Sequence, residues 1–279
     1  MTLKYEAGDG TIIDFMDGPF APQNPETLVK NSWSYSTISG VNSIGRVKQF
    51  YKDVQQADLT LTVLADTANE FNDIMASMHV AFERDIDALK PGRLYWNDYY
   101  RECYAVEVAY DSFEELFESV TAKITFLSTY PFWIRPQEIW IPASYSGGQL
   151  DLDGTIDLDG TIDLDSDSYV GEIVCDCITG ANFRLTFEGP AIDPSITIAG
   201  HDYTVFTELL PGESLVVDTK RKTITKIGVD GAEENAFYMR DKDSYIFEKI
   251  PRGVVPVYKD KSLSVGMAIF DERGEPEWI

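Results

Sequence analysis

The densest concentration of potentially reactive groups in this 279-residue chain is a short acidic repeat. Residues 151–156 read Asp-Leu-Asp-Gly-Thr-Ile, recur as 157–162, and decay to Asp163-Leu164-Asp165-Ser166-Asp167-Ser168. Asp-x-Asp-Gly-Thr suits phosphoryl transfer, in which one carboxylate attacks phosphorus and the other handles the leaving-group proton. That chemistry needs the first Asp at the end of a buried parallel strand. Tyr145-Ser146-Gly147-Gly148-Gln149 is no such strand, and the flanks lack alternating strands and helices. Closely spaced aspartates are also hard oxygen ligands, which makes Asp151, Asp153, Asp157, Asp159, Asp163, Asp165 and Asp167 calcium candidates. The spacing lacks the bidentate Glu that closes a full calcium loop. A hairpin turning at Asp159-Gly160 would put apolar side chains on both faces. The default reading is therefore a surface arm or linker.

Other reactive arrangements are scarce. His79 falls in a helical pattern, and His201 follows Gly200 in an expected turn. No Gly-x-Ser-x-Gly elbow, His-Glu-x-x-His pair or phosphate-cradling Gly-Lys-Ser/Thr loop occurs. Pairs such as Glu114-Glu115 and Glu233-Glu234 are expected by chance among 47 acidic residues. The chain reads as a non-enzyme, with no catalytic residues and no cofactor. A net charge of −24 argues against gripping nucleic acid, because neutralising phosphates takes a surplus of Lys and Arg. It is compatible with a surface that nucleic acid slides past. Cys103, Cys175 and Cys177 form no disulfide framework and read as reduced thiols of a protein made in the cytosol. Cys175 and Cys177 would share one face of a strand as small core residues. No signal segment opens the chain, and no run approaches the roughly 20 apolar residues that cross a bilayer.

The elements around these groups are mostly strands. Leu59 to Val63 alternates as a half-buried strand does. Thr67 with Glu70 three residues later forms a capping-box pattern, and Phe71, Ile74, Met75 and Met78 follow as a core-facing helical stripe. Pro91-Gly92 reads as the turn that ends the helix, and strands follow at 93–96, 104–108 and 122–126. Tyr130-Pro131-Phe132-Trp133-Ile134-Arg135-Pro136 reads as the exit from a first domain. The second half holds short strands at 182–187, 195–198, 203–206, 214–218 and 223–227, with turns at Asp202, Pro211-Gly212 and Asp230-Gly231. That rhythm suggests a β-sandwich. The fold class is mainly β: an α+β N-terminal domain at 1–136, an Asp-rich linker or arm at 137–168, and a β-sandwich at 169–279.

Several ordered motifs resemble the distal tail (Dit) proteins of siphophages. They are Asp9-Gly10-x-Ile12-Ile13-Asp14-Phe15, Trp33-Ser34-Tyr35, Pro91 to Asn97, Ile124-Thr125-Phe126 and Tyr130 to Trp133 in the first half. In the second half they are Pro194 to Gly200, Gly212 to Thr219, Asn235-Ala236-Phe237 and Ile246 to Gly253. The repeat at 151–168 has no counterpart in the pattern. The resemblance implies a homohexameric ring of N-terminal domains, with galectin-like sandwiches projecting outward. The ring would join the tail tube protein to tail-tip and receptor-binding proteins, and DNA would pass through its lumen without specific binding. The protein would be made and assembled in the host cytoplasm and work at the virion tail tip, with no membrane partner. Heterologous ring contacts are expected from the helix stripe and the β-edges of the first domain. The alternative is a calcium-assisted carbohydrate-binding module of a host-recognition device, with Trp140, Tyr203 and Tyr238 as possible aromatic platforms.

Overall fold

The computed structural model describes residues 1–39, 44–110, 119–143 and 168–277. It is mainly β with one long helix. The chain divides into two compact units, one of residues 1–135 with 273–279 and one of residues 136–272. The last residues, contiguous in sequence with the sandwich, thus group with the first unit.

In the first unit, antiparallel strands Ile12–Asp14, Leu3–Glu6, Gly92–Trp96 and Tyr99–Tyr110 pair in that order. A second run pairs Phe20–Pro22, Gln55–Leu64 and Ser119–Ser128. Tyr99–Tyr110 belongs to both. Its first residues pair with Gly92–Trp96, and its later ones with Ser119–Ser128 across an irregularity between Ala105 and Glu107. A bulge of this kind bends a strand and lets it turn from one sheet to another.

Alternation sets the strand faces. Along Gln55–Leu64, every second residue is buried, ending in Leu59, Leu61 and Val63. The helix Ala68–Asp87 begins where Thr67 caps it, with the Glu70 N–H donating to Thr67 Oγ1 at 3.2 Å. The return bond of the capping box runs from the Asp66 N–H to Glu70 Oε2 at 3.0 Å, one residue ahead of the cap. Phe71, Met75 and Met78 are buried against the sheets, with Ile74 half-buried beside them. The expected stripe is therefore internal core and is not free for a neighbour.

The helix ends before Pro91-Gly92. Lys90 N–H donates to Asp85 O at 3.0 Å and Leu89 N–H to Ile86 O at 3.1 Å, the two bonds of a Schellman stop. Leu89 occupies its left-handed position at φ 51°. Gly92 is instead the first residue of a strand and makes no turn.

Among the described residues, the second unit has two larger antiparallel sheets beside a short pair, Ala191–Ile192 with Glu208–Leu209. One runs Glu233–Asn235, Thr223–Ile227, Ser214–Asp218, Asn182–Glu188 and Ser264–Arg273. The other runs Ser168–Cys175, Gly253–Asp260, Ser195–Ile198 and His201–Thr204. Phe183, Leu185, Phe187, Val217 and Ile269 from the first share one core with Ile196, Ile198, Tyr203 and Val257 from the second. The turn between the last two strands is Ala199-Gly200, both at positive φ, as a two-residue hairpin loop demands. Asp202 is thus a strand residue, bonded from Thr197 Oγ1 at 2.6 Å, and His201 opens that strand. Pro211-Gly212 and Asp230-Gly231 do make turns, with both glycines at positive φ.

Candidate assembly surface

Among the described residues, none of those that suggested chemistry gathers into a site. The seven candidate aspartates of the repeat lie outside the described residues. Among the described residues, no three His, Cys, Asp or Glu side chains stand where they could hold a metal ion. No described helix is long and apolar enough to cross a membrane. His79 Nε2 meets Tyr110 Oη at 2.7 Å and ties the helix to a strand. His201 Nε2 lies 2.9 Å from Tyr245 O, a link between a strand and a loop. Tyr203 cannot be a sugar platform. It is fully buried, stacked edge-on against Phe183 and His201, and its hydroxyl donates to Glu248 O. Trp140 and Tyr238 are exposed.

All three cysteines are free and buried. Burial pushes the thiols of Cys103 and Cys177 up to about 12. A thiol raised in the folded state stays protonated and poorly nucleophilic. Ellman's reagent at pH 8 is expected to find no reactive thiol in the native protein and three after unfolding. The linkage has a definite sign. The stability associated with these thiols is intact below the unfolded value near 9 and is lost as pH climbs towards about 12.

The feature without an internal explanation is a two-stranded ribbon, Ser34–Ile38 paired with Arg46–Tyr51. It pairs with no other strand among the described residues. Register puts Tyr35 opposite Phe50 and Thr37 opposite Val47, on one face. Tyr35 is 62% exposed, Phe50 60% and Val47 50%. Isolated two-stranded ribbons are marginal in water, so an uncovered apolar face on one calls for a partner.

The root of the ribbon is tied to its unit by several contacts. Lys52 Nζ sits 4.8 Å from the Trp33 ring centroid and 5.3 Å from that of Phe132, and it also bonds Asn31 Oδ1. Trp33 and Phe132 meet edge-on at 6.3 Å. Ser34 Oγ bonds Asp53 Oδ2, and Gln55 Nε2 donates to Lys30 O at 2.7 Å. Burial and the neighbouring Arg101 lower the Lys52 pKa. These cation–π and hydrogen-bond contacts hold the ribbon out as a preformed arm.

Charge marks the same segment. Residues 30–54 carry Lys30, Arg46, Lys48 and Lys52 against Asp53 alone, a net +3 in a chain of net −24. The signal lay in the sequence as basic residues interleaved with Trp33, Tyr35, Phe50 and Tyr51.

Proteins of the same architecture come from phage adsorption devices. The chain superposes on the SPP1 Dit (gp 19.1) protein, a hub of the adsorption apparatus in phages infecting Gram-positive hosts. The TM-score is 0.60 at 10% identity, over 97% of this chain and 98% of that one. It superposes on a chain of the phage P2 baseplate, in its activated conformation with Ca, with TM-score 0.63 at 13% identity over 99% and 100% of the two chains. The P2 baseplate with Sr gives 0.61 at 13% identity over 99% of both. At these identities the likeness is one of fold. No family model matches the chain, and no curated protein does.

Proposed function

We propose that this chain is a structural subunit of a phage tail tip: a hub whose N-terminal units close into a hexameric ring. The ring joins the tail tube protein to tail-tip and receptor-binding proteins, and DNA passes through its lumen. The C-terminal unit is a galectin-like sandwich projecting from the ring. The protein assembles in the host cytoplasm and serves at the virion tail tip. The observation that carries the reading is that the likeness to hub and baseplate chains runs through both units and nearly end to end. A ribbon with an apolar face that no described residue covers offers the asymmetric contact that a closed ring of identical subunits requires. A negative lining would keep DNA from sticking over the roughly 8 Å reach of charge at physiological salt, consistent with the net −24.

Native mass spectrometry and electron microscopy of the purified protein, alone and with its tail tube partner, test this. Six-fold rings with a mass near six times 31.4 kDa are expected. A chain that stays monomeric under both conditions overturns the proposal.

A further inference from the structure

The ribbon combines an exposed aromatic face with the long basic side chains of Arg46 and Lys48 beside it, and its acceptor should be acidic with exposed apolar side chains. The last turns of the helix Ala68–Asp87 have both properties. A shallow groove there is lined by Val80, Glu83, Arg84, Ile86 and Asp87. Val80 and Ile86 are both exposed. Arg84 is already spent on Asp9, at 2.9 Å, which leaves Glu83 and Asp87 as the unbalanced charges.

Two features of this helix end run against local stability. Carbonyls at a helix C-terminus carry partial negative charge, so cations belong there and carboxylates are disfavoured. Glu83, Asp85 and Asp87 nevertheless crowd the final turns, and only Asp85 is buried. The stop residue is Leu89 at φ 51°, where glycine is the ordinary choice. Its side chain is 81% exposed, so no internal packing offsets the conformational cost. A bulky residue held in the left-handed region, apolar and facing solvent, points to a contact made outside the subunit.

We infer that the ribbon of one copy docks on this helix end of a second copy. The Tyr35–Phe50–Val47 face covers Val80, Ile86 and Leu89, and Arg46 and Lys48 meet Glu83 and Asp87. The inference rests on the self-assembly reading above and adds the receiving surface. Ribbon and helix end are different surfaces of one unit, so the contact is heterologous and propagates round a ring. Charge complementarity selects the occupant. Copies carrying −24 each repel one another, and the +3 ribbon offsets that against an acidic face.

Charge reversal in the full chain tests it by light scattering over a concentration series. E83K/D87K and R46E/K48E should each raise the dissociation concentration by about tenfold or more, and the four changes together should restore it to within about threefold. All the changes are at exposed positions, and circular dichroism checks the fold of each variant. A second measurement is independent of charge. Val47→Cys with Ile86→Cys should give a ladder of oxidised multimers on non-reducing gels, and neither single variant should. The native cysteines are buried and add no background. Wild type that assembles but ignores both reversals and forms no ladder overturns the docking while leaving the ring intact. Wild type that never assembles overturns both.

Discussion

Gly92→Ala is expected to destabilise the first unit by about 3–5 kcal/mol, the sum of an overpacking cost and a broken buried hydrogen bond. A methyl group at Gly92 would lie 2.3 Å from the Tyr5 hydroxyl oxygen, 2.4 Å from Tyr5 Cζ and 2.7 Å from Asp85 Oδ2. None of the three can retreat cheaply. Tyr5 is fully buried, edge-on to Phe82 at 5.2 Å and tilted on Phe126 at 5.8 Å. Its hydroxyl donates to Asp85 Oδ2 at 2.6 Å, and the Gly8 N–H donates to Asp85 Oδ1 at 2.7 Å. Burial first, then Cys103 and Asp85, push the Tyr5 phenol far above its ordinary range, so it remains a donor at any working pH. Moving the tyrosine would leave a buried carboxylate with half its bonds. The backbone at Gly92 is not in the left-handed region, so the cost is steric and electrostatic. Tyr5→Phe removes the nearest atom. In that background Gly92→Ala should cost about 1–2 kcal/mol less, the non-additivity expected of residues in contact. Urea unfolding of the four variants measures both figures. A Gly92→Ala protein within 1 kcal/mol of wild type would mean that the strand can shift at little cost.

Much of the fold was legible because local and tertiary demands agreed. Thr67, Glu70 and the Phe71–Met78 stripe mark a helix by cap and period, and the sheets bury that same stripe. Ser195–Ile198 and Ser214–Asp218 alternate cleanly because both sheets of the second unit flank one core. Gly92 was not legible. Pro-Gly usually signals a turn, but this glycine answers to Tyr5, 87 positions earlier in the chain, and such an approach leaves no local trace. The strand at 203–206 fell two residues late for a related reason. Asp202 has turn chemistry, yet its side chain is bonded from Thr197 across a hairpin that Ala199-Gly200 turns.

The proposed assembly surface was hidden by the same period that revealed the core. An apolar stripe on a helix looks equally suited to a neighbour or to an interior, and here the interior takes it. The ribbon has too few alternating apolar positions to stand out, and its exposed face appears only in the structure, where no described residue covers it.

Trp133→Ala should cost about 3–5 kcal/mol, as large-to-small changes of buried aromatics do, and should also loosen the root of the ribbon. Trp133 is fully buried and meets Trp96 at 6.5 Å. The guanidinium of Arg101 lies 4.4 Å from its ring centroid. Arg101 is 3% exposed and donates through Nη1 to Leu28 O at 3.2 Å, while Nε and Nη2 have no hydrogen-bond partner among the described residues. Burial draws its pKa down to about 10. The indole face is therefore a main source of compensation for a cation removed from water, and losing it leaves both a cavity and an uncompensated charge. The two contributions can be separated. Arg101→Met keeps most of the volume and removes the charge, so alone it should be neutral or stabilising by about 1–3 kcal/mol. In the Arg101→Met background, Trp133→Ala should cost about 1–2 kcal/mol less than in wild type, leaving the cavity term. An equal cost in both backgrounds would show that the stacked ring does nothing for the arginine. The position of Lys52 near Arg101 extends the consequence to assembly. The Arg101 charge acts on Lys52, whose ammonium sits over Trp33 and Phe132, so disturbing the seat of Arg101 reaches the root of the ribbon. Trp133→Ala should therefore raise the dissociation concentration of the oligomer, although Trp133 is fully buried within its own unit.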